Sequence, residues 1–186
     1  MAYDSLHCDG ANFKNYAGVE ESEVTEKEIR SHLEKCHIVS LKTFEDLSNF
    51  VKGEPILNKL GLITKVCNGI SKTRMILDAK ESWVKHLTRK SQRVILPRLY
   101  DAVLRLLALM AISYNAGQEP SVEAFVLDFT DAFWQVPVRP EEQRFYCATA
   151  KLDGKKLYLA FLRAPQGSAN GPTLWARVIA LVSRLT

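Results

Sequence analysis

Cysteine is scarce and scattered: Cys8, Cys36, Cys67 and Cys147 contain no C-x-x-C pair. That usage fits free thiols in a reducing compartment better than a disulfide framework. His32 and Cys36 stand four apart on an expected helix, with His7, Cys8 and His37 as distant further ligands, but the spacing is poor for zinc. Long apolar runs are missing too. The most apolar stretch, 102–114, includes Arg105 and falls well short of the roughly 20 residues that cross a bilayer, so it reads as a buried helix with no membrane partner. Residues 1–14 lack the basic start and apolar block of a secretory signal. No Gly-rich dinucleotide or P-loop pattern occurs, and Gly167-Ser168-Ala169-Asn170-Gly171 lacks the Gly-x-Ser-x-Gly spacing of a nucleophile elbow, which sets those classes aside. No internal repeat is visible.

What is present suits a globular chain. The 186 residues are 47% hydrophobic and 25% charged, enough apolar material for a core and too balanced for disorder or a fibre. A formal charge of +4 permits a polyanionic partner without demanding one. The distribution is uneven. Glu20, Glu21, Glu23, Glu26, Glu28 and Glu34 make the early region acidic. Lys65, Lys72, Arg74, Lys80, Lys85, Arg89, Lys90 and Arg93 make the next one basic, either as a solvated surface or as a wall facing phosphates.

Periodicity divides the chain into an irregular lead-in at 1–22, a helical segment at 23–58, a region at 59–122 and a last one at 123–186. Thr25 and Glu28 form a capping-box pattern before Ile29, Leu33 and Cys36, predicting a helix near 25–36. Thr43 and Asp46 start a second helix with Leu47, Phe50 and Val51 on its apolar side, ended by Gly53 to Pro55. Strand-like runs at 60–66 and 73–77 flank Asn68-Gly69, a hairpin that would present Lys65, Lys72 and Arg74 together. Lysines there also fit plain solvated strand edges. Pro97 opens a helix carrying Leu99, Val103, Leu106, Leu107 and Met110, expected to be mostly core. Ala124 to Leu127 reads as a strand buried on both faces. Runs at 145–150 and 157–162 flank Asp153-Gly154 as a second hairpin, and Pro172 starts a closing helix through Leu174, Val178, Leu181 and Leu185.

The chemistry gathers in residues 126–137. A buried strand ending in Asp128 would fix a carboxylate at a sheet edge, where a hard cation such as Mg²⁺ can be held for phosphoryl transfer. The same aspartate could simply cap the following turn.

The pattern Leu127-Asp128-x-x-Asp131-Ala132-Phe133, followed by Val136-Pro137, resembles the first catalytic motif of retroviral and retrotransposon reverse transcriptases. Pro165-Gln166-Gly167, then Asn170-Gly171-Pro172 opening a helix, is similar to their second motif. Upstream, Lys72-x-Arg74-x-x-x-Asp78 resembles the fingers segment that precedes the first. Each is weak alone; their order and spacing across residues 60–186 make coincidence improbable. The resemblance implies an α+β right-hand polymerase fingers and partial palm, fingers-like at 59–122 and palm at 123–186, with an antiparallel-rich sheet backed by helices. It implies that Asp128 binds two Mg²⁺ ions with help from the Phe129 carbonyl, and that the Asp131 and Ala132 amides receive the triphosphate. Phe133 would be the steric gate against a 2′-hydroxyl, although a Phe there also fits core packing. Gln166 would lie against the sugar, Gly167 would admit the close backbone, and Lys65 and Arg74 would close over the phosphates. The implied partners are an RNA or DNA template-primer, a dNTP and the remainder of a polyprotein.

Two departures from the family pattern are mild: Ala164 in place of a leucine, and Gly171 in place of a serine. A larger one is that no Tyr-x-Asp-Asp follows before Thr186. The expectation is therefore a fragment of a retrotransposon-type enzyme that does not polymerise alone. The alternative is a nucleic-acid-binding module descended from such an element.

Overall fold

In the computed structural model the described residues are 13–20, 22–88, 94–95, 98–119, 122 and 128–185, with side chains up to 182. They fall into two units, 1–91 with 131–186, and 92–130. The first unit is built on a three-stranded antiparallel sheet. Its order is β1 (Ile38–Leu41), β5 (Lys155–Phe161), β4 (Cys147–Leu152). β4 and β5 form the expected hairpin, and Asp153 and Gly154 turn it with φ of 51° and 71°. Both positive values match the primed turn that suits strand twist.

Side chains alternate across this sheet, so each face serves one cluster. Ala148, Ala150, Leu159 and Phe161 face a core shared with Ile29 of α1 (Glu23–Glu34) and with Leu60, Met75 and Leu77. Cys147 and Ala160 face Leu47 and Val51 of α2 (Phe44–Val51). Helix α2 begins as expected: Asp46 N–H donates to Thr43 Oγ1 at 3.0 Å, and Thr43 N–H donates to Asp46 Oδ2 at 3.1 Å. Phe50, expected on its apolar side, is exposed.

Helix α1 begins two residues before the expected box. Its N-cap is Ser22, and Thr25 is buried within the first turn with no hydrogen bond to its hydroxyl among the described residues. The C-terminal end is a Schellman motif. Cys36 sits in the left-handed region at φ 53°, its N–H donates to Leu33 O, and His37 N–H donates to His32 O at 2.9 Å. Cys36 therefore turns outward and does not join the apolar stripe.

The hairpin of β2 (Lys59–Cys67) and β3 (Ile70–Asp78) is separate from the sheet in its pairing. Asn68 and Gly69 turn it with φ of 52° and 74°. Only its foot is buried, at Leu60, Gly61, Met75 and Leu77. Asn58 at that foot is 1% exposed; it donates to three carbonyls and accepts from Ser82 Oγ at 2.6 Å. The short helix α3 (Val84–Leu87) follows β3.

In the second unit, α4 (Leu99–Asn115) forms where the apolar periodicity placed it, and Arg98 N–H donates to Asp101 Oδ2 at 2.8 Å at its start. The expected core role is corrected. None of its residues is buried, and Leu99, Leu107 and Ile112 are more than half exposed. Apolar residues lie on all sides of α4, so periodicity singles out no buried face. Pro97 and the expected strand at 124–127 lie outside the described residues. Among the described residues no helix is long and apolar enough to cross a membrane.

Candidate nucleotide and nucleic-acid site

The register of the β2–β3 hairpin sets its chemistry. Lys65 pairs with Lys72, and Ile63 pairs with Arg74. By strand alternation Lys65, Lys72 and Arg74 therefore share one face. Like charges directly opposite each other are unfavourable, yet here two lysines stand in register with an arginine beside them. Such a face is suited to an anion. Arg74 lies three residues and Lys72 five residues from Leu77, roughly 10 and 17 Å along the strand.

The Pro165-Gln166-Gly167 turn is docked onto the foot of that hairpin. Leu77 N–H donates to the Gln166 carbonyl at 2.8 Å. Gly167 has φ of 104°, and a Cβ there would stand 2.3 Å from Leu77 O. Only glycine fits. Pro165 is fully buried, Gln166 is half-buried and Gly167 is exposed. The second motif is thus attached to the root of the cationic strands, with Gln166 at the junction.

Residues 132–138, the later part of the first motif, run beside it. A 3-10 turn spans Ala132–Gln135. The chain then runs as Val136 to Val138 alongside 162–164: Val138 N–H donates to Leu162 O at 2.9 Å, and Ala164 N–H donates to Val136 O at 2.8 Å. Phe133 is half-buried, and its ring lies beside Gly171, where an added Cβ would come within 3.6 Å of it. Gly171 opens α5 (Gly171–Leu185). Between these parts Ser168 Oγ has no hydrogen-bond partner among the described residues.

Asp131 enters the turn in the left-handed region at φ 55°. Its carboxylate accepts from Lys35 Nζ at 2.8 Å, and that ammonium holds the Asp131 carboxyl below the ordinary range. Trp134, 3% exposed, pins the other end of the turn. Its ring stacks on His37 at 5.2 Å, lies 4.1 Å from His32 and stacks on Phe161 at 5.9 Å. Nothing in the sequence placed Lys35, His32 or His37 here. Their contacts with the turn cross about a hundred residues, and a helix-end signal at Cys36 gives no hint of them.

No protein-family profile matches this sequence, and no curated protein matches it. Among solved structures, the chain is similar to a foamy viral protease-reverse transcriptase in complex with double-stranded DNA. The TM-score is 0.52 and the identity 16%, over 92% of this chain and 25% of that one. The chain has a reverse-transcriptase-like fold. It spans a quarter of the length of the protein it matches, and at this identity the likeness speaks for fold alone.

Asp128 and Phe129 belong to the second unit and are exposed. Among the described residues no three of His, Cys, Asp and Glu gather as metal ligands. The Asp131 carboxylate is engaged by Lys35, and the resemblance assigns one carboxylate, Asp128, to Mg²⁺. One carboxylate does not make a two-metal centre. The zinc arrangement also finds no support: Cys36 is exposed, and His7 and Cys8 lie outside the described residues.

Proposed function

We propose that this chain is the fingers and front palm of a reverse-transcriptase-type polymerase, binding a deoxynucleoside triphosphate and an RNA or DNA template-primer. The observation that carries this reading is the Gln166–Leu77 bond, which attaches the second motif to the foot of the cationic hairpin within a reverse-transcriptase-like fold. In this reading Lys65 and Arg74 close over the triphosphate, Arg by a forked contact and Lys as a point charge. The amides of Asp131 and Ala132 receive its oxygens. Neutralising the Asp131 carboxylate by Lys35 removes a repulsive charge from that approach. Phe133 lies under the sugar and excludes a 2′-hydroxyl, while Gln166 and the bare Gly167 backbone flank the nucleotide. Asp128, with the Phe129 carbonyl, contributes one carboxylate to a Mg²⁺ site. Mg²⁺, when bound, neutralises the phosphates and lowers the barrier to attack. DNA synthesis as a whole is proposed for the full enzyme of which these residues form part.

The test measures dNTP and rNTP affinity with the Phe133→Ala variant, and template-primer binding by fluorescence anisotropy across a salt series. The expected outcomes are a deoxy preference that Phe133→Ala relaxes, and steep weakening with salt. Losing one phosphate contact through Lys72→Ala should lower the log–log salt slope by about 0.9. A flat salt response sinks the phosphate contacts. Salt-dependent binding without any nucleotide binding favours the second reading, a non-catalytic nucleic-acid-binding module, which the cationic hairpin face also supports.

A further inference from the structure

The Asp131–Trp134 turn is held from behind by a pair of histidines that the nucleotide reading leaves without a role. His32 and His37 occupy the two positions that a Schellman motif brings together at a helix end. In most such ends these positions are apolar. Here the two rings meet Nδ1 to Nδ1 at 3.0 Å, both residues are buried, and both rings lie against Trp134. At that distance one Nδ1 carries a proton and the other offers a lone pair, an arrangement that two neutral rings satisfy without placing a charge in the buried site. A first extra proton charges a ring that is buried against Trp134, and a second sets N–H against N–H.

We infer that His32 and His37 are positioning residues for the Asp131–Trp134 turn: as a neutral pair they clamp Trp134, and proton uptake by the pair frees the turn that presents the Asp131 and Ala132 amides. This rests on the reading of that turn as part of the nucleotide site. The charged groups around the pair are Lys35 at the end of α1, Asp131 in the turn itself and Arg163 after β5. Glu28 of α1 is also close to Lys35 and Asp131. Lys35 and Arg163 oppose a new positive charge; Asp131 favours one but is already engaged by Lys35. Burial dominates and moves both histidines down, His32 to about 4 from 6.5. The sign follows. The clamp is complete above about 6.5, and protons bind the open form first as pH falls from there towards about 4.

The experiment is hydrogen exchange of the indole N–H of Trp134, a buried residue, assigned with Trp134→Phe, from pH 7.5 to 5 on the whole chain. Corrected for the intrinsic rate, exchange should rise about tenfold per pH unit below about 6.5 for each histidine that binds a proton only in the open form. It should also be insensitive to low denaturant, unlike the Leu159 and Phe161 amides, because the opening is local. In the double variant His32→Phe with His37→Phe, which keeps aromatic packing on Trp134, the pH slope should vanish. Ring resonances of the two histidines in the unaltered chain give a second measurement that needs no variant. Titration of both rings near the ordinary value, a slope that survives in the double variant, or Trp134 exchange that tracks global unfolding each overturns the inference. Binding of dATP with Mg²⁺, measured on the same samples, answers the other question. Its absence in the unaltered chain at pH 7.5 removes the nucleotide reading and leaves the clamp standing. A deoxynucleotide affinity with the same pH dependence in both proteins, where only the triphosphate's own ionisation acts, overturns the link between clamp and site.

Discussion

Replacing Gly167 by alanine tests whether the Pro165-Gln166-Gly167 turn is locked to the hairpin foot. At φ of 104° an L-residue costs about 1–2 kcal/mol through its own backbone. The new Cβ would also stand 2.3 Å from Leu77 O, an overlap that rotation of a side chain cannot relieve because the obstacle is backbone. Leu77 belongs to β3 and pairs with Leu60, so the turn must move instead. Moving it stretches the 2.8 Å bond from Leu77 N–H to Gln166 O, worth about 1 kcal/mol net. The sum is about 3 kcal/mol. Gly154→Ala is the matched control: its φ is 71° and nothing lies within 4 Å of the added carbon, so only the backbone cost of about 1 kcal/mol remains. Thermal and urea unfolding followed by circular dichroism should place Gly167→Ala about 2 kcal/mol below Gly154→Ala, roughly 4–8 °C in midpoint for a chain of this size. Equal midpoints for the two variants would refute the docking of the second motif on β3.

Three further outcomes follow from the same packing. Asn58→Ala should destabilise by about 2–4 kcal/mol in urea unfolding, since it removes the side-chain bonds to the Ile56, Phe145 and Cys147 carbonyls and to Ser82 Oγ at a buried junction. Trp134→Ala should cost about 3–5 kcal/mol and weaken dNTP binding, read by calorimetry; unchanged stability would mean that the turn is not anchored there. Alkylation of the native chain with mass-spectrometric mapping should label Cys36 and Cys67 but spare Cys147, which is buried and whose thiol burial pushes well above its ordinary value. Labelling of Cys147 before denaturation would contradict that burial.

Short-range signals located most elements. Asn68-Gly69 and Asp153-Gly154 fixed two hairpins because each turn needs two positive φ values that few residue pairs adopt cheaply. Thr43 and Asp46 fixed the start of α2 because the reciprocal bonds span only three residues. The Thr25 box failed for the opposite reason: burial of Thr25 against the core overrode a local preference worth about 1 kcal/mol. β1 was not anticipated, since four residues at 38–41 carry too little pattern to be read without β5 beside them.

The candidate site divides the same way. The residue types at 128–137 and 165–172, their order, and the shared hairpin face of Lys65, Lys72 and Arg74 are all properties of the chain read in one dimension, because motif spacing and strand alternation are local. Tertiary structure alone decided that Gln166 bonds to Leu77, that Lys35 takes the charge of Asp131, and that two histidines from the end of α1 close under Trp134. Those contacts join segments up to about a hundred residues apart. They arise when burial of the shared core brings the segments together, and no periodicity along the chain encodes which polar groups then meet.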